Sequence, residues 1–222
     1  MLNTQRLELY YTDGGYTQTG GTVTITDIGN SEQRELWENG EQIFENSEPV
    51  IVTATSYRGL ALGGGKANIS GGKLDIHVRT RAGDERPTFS GINAENGSIV
   101  TVGGSAAVTI HGTGIGTAVQ VYQNSKLNLT GGTLNIQGAD ISDEITQDTE
   151  IQVQAMYVGD GATMTLSGTT LNFANAEVVL NCPVKMSGGN LNMTNGRLWI
   201  CGIMDQTGGN VKLENCFVGV DT

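Results

Sequence analysis

Two stretches of this chain concentrate side chains that could do chemistry. Asp140, Asp143, Glu144 and Asp148, followed by Glu150, crowd carboxylates into a short span. A hard cation such as Ca²⁺ takes about six to eight oxygen ligands, so such a span is a candidate metal loop. The spacing matches neither the EF-hand nor the Gly-rich nonapeptide that binds Ca²⁺. The preferred reading is a solvated loop, with no cofactor assigned. The second stretch is Arg79-Thr80-Arg81-Ala82-Gly83-Asp84-Glu85-Arg86-Pro87. Guanidinium forks match carboxylates, so Arg79, Arg81 and Arg86 could hold an acidic sugar or a similar ligand. Pairing with Asp84 and Glu85 is the plainer alternative.

Other chemistries find little support. Glycoside hydrolysis needs two carboxyl groups at a defined separation. The outward strand positions are instead Asn128, Asn135, Thr165, Asn172, Asn192 and Lys212, and Asp75 stands alone on its strand. His77 and His111 have no nucleophile-elbow motif near them. Cys182, Cys201 and Cys216 are odd in number and make no disulfide framework or zinc spacing, so they read as small apolar side chains. No catalytic residue is assigned.

The elements that carry these residues are set by a repeat. Gly168-Thr169-Thr170-Leu171-Asn172-Phe173, Gly188-Gly189-Asn190-Leu191-Asn192-Met193 and Gly208-Gly209-Asn210-Val211-Lys212-Leu213 begin 20 residues apart. Asn175, Asn195 and Asn215 share one register, as do Val178, Leu198 and Val218. Apolar residues alternate within each unit, which is the period of a half-buried strand. No segment has the helical periodicity of a crossover, so short parallel strands must stack as coils at about 4.8 Å. Asn at one place in every coil predicts a structural ladder of amides along the axis. Asn and Gly also tolerate the left-handed backbone of a sharp corner.

The unit recurs upstream around Gly131-Gly132, Gly103-Gly104 and Gly71-Gly72, with Gly20-Gly21 as the earliest copy. Each of these middle pairs lies 28 to 37 residues before the next copy, so the extra residues must leave the rod as side loops. Glu35 to Phe44 reads as a hairpin turning at Asn39-Gly40. The expected organisation is a capping segment and first coil over 1–58, then repeats over 59–222.

Composition narrows the function classes. Gly contributes 33 of 222 residues, roughly twice average usage, while aromatics are 5%. That is a thin core suited to a solenoid. The net charge of −11 opposes both nucleic acid and anionic lipid as partners. No apolar run approaches the ~20 residues of a membrane span. Met1 to Arg6 carry no leader signature, and the chain stops at Asp221-Thr222 after a repeat strand. The expectation is a mature or excised piece, or a protein exported by another route, its last coil trimmed or covered by a partner.

The runs Gly91-Ile92-Asn93-Ala94-Glu95-Asn96-Gly97-Ser98-Ile99-Val100-Thr101-Val102 and Ala118 to Leu134 resemble the pertactin-type passenger of autotransporter proteins, with its Gly/Asn-Ser corner and its strand ending in Gly-Gly. Gly-rich bacterial surface proteins and β-helical phage tail proteins are similar. The resemblance covers residues 60 to 222 and speaks to fold more than to function. It implies an all-β, right-handed parallel β-helix (solenoid) with minimal coils of about 20 residues and side-loop insertions. It also implies a non-catalytic structural or adhesive protein, extracellular or at the cell surface, that presents loops to a glycan or a surface protein. The alternative is a virion component such as a tail spike or fibre, forming a homotrimer or continuing into a larger chain, and binding or cleaving polysaccharide. A polysaccharide lyase or glycoside hydrolase is the enzymatic runner-up.

Overall fold

A computed structural model of the chain describes residues 1–4, 7–10, 15–27, 30–35, 37–38, 41–42, 44–45, 48–49, 51–79, 88–113, 116–138, 146–147, 151 and 153–221. Over the strands between 30 and 57, and at 10, 27, 79, 88, 112 and 113, the backbone alone is described. The described residues form strands and turns without a helix.

Strands recur in a fixed order of three. The first column stacks 15–18, 66–69, 99–102, 126–129, 163–166, 184–186 and 204–206 in parallel. The second stacks 2–4, 22–27, 73–79, 107–113, 133–137, 170–174, 190–194 and 210–214. The third stacks 7–10, 56–63, 88–95, 116–121, 153–158, 177–180, 197–200 and 217–220. The chain is therefore a parallel β-solenoid. We number its coils 1 to 7: 15–63, 66–95, 99–121, 126–158, 163–180, 184–200 and 204–220. Strands 2–4 and 7–10 add an incomplete turn before coil 1.

Stacking follows from the alternation. Ile25, Ile76, Ile110, Ile136, Phe173 and Met193 occupy one register position of the second column, and all are buried. Each such side chain removed from water contributes about 1.5–3 kcal/mol. Because each rests on its counterpart one coil away, the core is a continuous thread between the columns.

The corners obey local backbone rules. Between first and second columns, Gly189 has φ +79, and a Cβ there would lie 2.5 Å from the Thr169 carbonyl oxygen. Coil 5 carries Thr169 itself at this place, fully buried. Its Oγ1 donates to the Gly131 carbonyl at 2.8 Å and accepts from the Gly131 N–H at 3.0 Å. Between third and first columns, the fully buried Ser98 and Ser125 form the corner, with Ser98 N–H donating to Ser125 Oγ at 3.1 Å. Between second and third columns, Asn175, Asn195 and Asn215 take φ of 53, 51 and 49. Asn215 Nδ2 donates to Asn195 Oδ1 at 2.9 Å.

In coil 1, strand 30–35 runs antiparallel to 51–56. Two shorter antiparallel pairs, Trp37–Glu38 with Glu41–Gln42 and Phe44–Glu45 with Glu48–Pro49, lie between them. The first pair brackets Asn39-Gly40, the expected hairpin position.

Candidate functional site

Corner lengths show where this rod departs from regularity. First-to-second corners are short throughout, from 70–72 to 207–209, and so are third-to-first corners, from 96–98 to 201–203. Only second-to-third corners vary by more than a residue or two. In coils 6 and 7 they are tight turns at Asn195 and Asn215, whereas coil 1 inserts 28–55, coil 2 inserts 80–87 and coil 4 inserts 138–152. An insertion at a corner leaves the register of both flanking strands intact, so the stack tolerates it. Every long insertion among these coils therefore leaves from one edge of the rod.

Both chemically notable loops belong to this edge. Arg79 ends the strand Lys66–Arg79, its backbone paired with Thr113 of coil 3. Arg81 and Arg86 lie outside the described residues, as do Asp140, Asp143, Glu144 and Asp148. Among the described residues, no group of three or more His, Cys, Asp or Glu side chains is placed to hold a metal ion. The coil 4 insertion is anchored further along the axis. Arg197 of coil 6 pairs its Nε with Glu177 Oε2 at 2.6 Å and donates from Nη1 to the Gln147 carbonyl. Glu177 in turn accepts from Gln154 Nε2 at 3.3 Å, and Thr117 Oγ1 donates to Gln154 Oε1 at 3.0 Å. These groups form a polar chain along the third column from coil 3 to coil 6.

On the other side of the same corner lies a groove of about 300 Å³ along the outward face of the second column. Thr109, Asn135, Asn172 and Asn192 form one row, and His111, Gln137, Ala174 and Thr194 form the row nearer the insertions. Asn192 Nδ2 donates to Asn172 Oδ1 at 3.0 Å, and Asn172 Nδ2 donates to Asn135 Oδ1 at 2.7 Å. The groove thus contains an amide ladder, besides the Asn215-to-Asn195 bond of the corner. His77 and His111 stack at its upstream end, with ring centroids 4.5 Å apart and planes 6° from parallel. Asp75 faces Thr24 and Thr109 across the register, with no carboxylate opposite. It is 9% exposed and pairs through Oδ2 with Lys73 Nζ at 2.7 Å, while its buried Oδ1 has no hydrogen-bond partner.

The third column has its own irregularities. Tyr122 donates its hydroxyl to Glu95 Oε2. Burial first, then that hydrogen bond, push its phenol up to about 12. Such a phenol stays protonated and is a poor general base. Tyr157, Val179 and Trp199 share one outward register position in coils 4, 5 and 6, where the alternation calls for polar residues. Trp199 lies over Gly219, where a Cβ would stand 2.0 Å from its ring. Cys182 is buried, and that burial raises its thiol to about 11. Cys201 and Cys216 are only half-buried, a less complete burial than their apolar reading implied.

Sequence reasoning missed the groove and the aromatic stripe. Both arise from residues one coil apart, so the signal lay in aligning coils of unequal length rather than in any local motif.

No family model, curated protein or solved structure matches the chain.

Proposed function

We propose that this chain is a non-catalytic β-solenoid with a structural or adhesive role. Exposed at a cell surface, it presents its insertion-bearing corner and the adjoining groove to a glycan or surface protein, in the manner of an autotransporter passenger. The observation that carries this reading is the confinement of long insertions to one corner, beside the groove. A rod needs no such asymmetry to stand, and loops held by a rigid scaffold are where binding residues concentrate. The groove supports binding over turnover, because its lining has no pair of carboxylates and no activated nucleophile.

The test replaces residues 139–151 of the coil 4 insertion with the two-residue Asn-Gly turn of coil 6. Labelled wild-type and exchanged chains are applied to a printed glycan array and to fixed bacterial and animal cells. Binding by the wild type that falls at least about tenfold on exchange, with an unchanged urea midpoint, is expected. Equal binding by both chains would overturn the reading, and release of reducing or unsaturated sugar would overturn its non-catalytic part.

A further inference from the structure

We propose that the groove on the second column binds an uncharged glycan segment lying parallel to the solenoid axis, its hydroxyls taken by Asn135, Asn172 and Asn192. This rests on the glycan-binding form of the function proposed above and names its site and substrate class.

A carboxamide offers two N–H donors and two acceptor lone pairs. Asn172 spends one donor on Asn135 and one acceptor on Asn192. One N–H and one lone pair therefore remain, on an amide whose plane the ladder has already fixed. A ligand that uses them does not have to order the side chain first, which removes part of the entropic cost of binding. The half-buried positions of all three amides keep them in the groove without sealing them from solvent.

Equivalent amides repeat at the coil rise, about 4.8 Å, close to the length of one pyranose residue in an extended chain. The row from Thr109 to Asn192 covers four coils, or about 14 Å. Successive sugar residues along the axis would thus each lie beside one amide.

The chain carries a net −11, yet none of the residues lining the groove is acidic or permanently basic, and His111 is its one titratable group. An anionic sugar would meet no cation among these lining residues, because Lys212, one coil beyond Asn192, is paired with Glu214, and it would enter against the field of the whole protein. A cationic partner would find no carboxylate among them, and Asp75, one coil before Thr109, is 9% exposed and paired with Lys73. Neutral hydroxyls match amides and threonines as both donors and acceptors, while the methylenes of the same side chains and Ala174 meet the apolar ring faces.

Affinity electrophoresis tests this with native gels containing galactomannan, xylan, hydroxyethylcellulose or dextran, against gels containing polygalacturonate or alginate. The wild-type chain should be retarded by at least one neutral polymer and by neither acidic one. Asn172→Val should weaken that retardation about tenfold, the loss of one or two hydrogen bonds. Ala174→Trp, which leaves the ladder in place and fills the groove, should abolish it. Asn210→Val, in the exposed ladder outside the groove, should not change it. Should Asn172→Val fail to fold, Ala174→Trp decides alone. Retardation by acidic polymers only, or retardation unaltered by Ala174→Trp, overturns the inference. If that unaltered retardation disappears on exchange of the 139–151 insertion, the groove is excluded while the function proposed above stands. No retardation in any gel also overturns the inference, and binding on the array would then separate its failure from that of the wider reading.

Discussion

Asn195 holds a backbone conformation and an intercoil bond with one side chain. Its φ of 51 lies in the left-handed region, which costs most L-residues roughly 1–2 kcal/mol, and its Oδ1 accepts from Asn215. An intramolecular hydrogen bond contributes about 0.5–1.5 kcal/mol net, and this one is exposed, which puts it at the lower end. The two contributions separate by substitution. Asn195→Ala forfeits both and should lower stability by about 2 kcal/mol. Asn195→Gly keeps the backbone freedom, so it should lose about half as much. Urea midpoints of the two variants check this, and equal losses would mean that corner conformation contributes nothing.

At the scale of elements, the coil 4 insertion is tied to the rod by Arg197. Its guanidinium bridges Glu177 on the neighbouring coil and the carbonyl of Gln147 in the insertion. Both partners of the ion pair are largely shielded, with side chains 14% and 17% exposed. This is more than a solvated surface pair, and hydrogen bonds to charged groups contribute about 1.5–3 kcal/mol. Arg197→Met keeps the aliphatic stem and removes both contacts. The expected outcome is faster limited proteolysis within 139–152, with the strands of coils 4 and 6 still protected. Cleavage at the wild-type rate would show that the insertion is held by other contacts. Because this insertion leaves the coil immediately after Gln137 and Gly138, beside the groove, the same variant should also weaken any ligand bound there.

For the whole molecule, a solenoid coil is stabilised by the coils on either side of it, so protection should follow position along the axis. Leu171, Val178 and Leu180 of coil 5 are sealed between neighbours. The equivalent Val211, Val218 and Val220 of coil 7 are 36%, 43% and 66% exposed. Amide hydrogens of 210–214 should therefore exchange more than about tenfold faster than those of 170–174. Uniform protection would mean that this chain opens as one cooperative unit, or that a second copy covers the last coil. A concentration series separates those two cases.

What the sequence determined by itself is the coil. Alternation at Leu171/Phe173, Leu191/Met193 and Val211/Leu213 needs only the period of a strand, and Asn175, Asn195 and Asn215 need only the backbone freedom of a corner. Both properties belong to single residues and their near neighbours, so they were legible without a structure. The 20-residue spacing then forced like onto like, and even the departure at Thr169 was visible as a missing glycine. Tertiary structure decided that outward positions from coils of unequal length line up as one groove. Thr109, Asn135, Asn172 and Asn192 are separated by 26, 37 and 20 positions, and no local periodicity joins them. They become one groove because insertions of different length all leave from the same corner and return the chain to register. The same register aligned Tyr157, Val179 and Trp199.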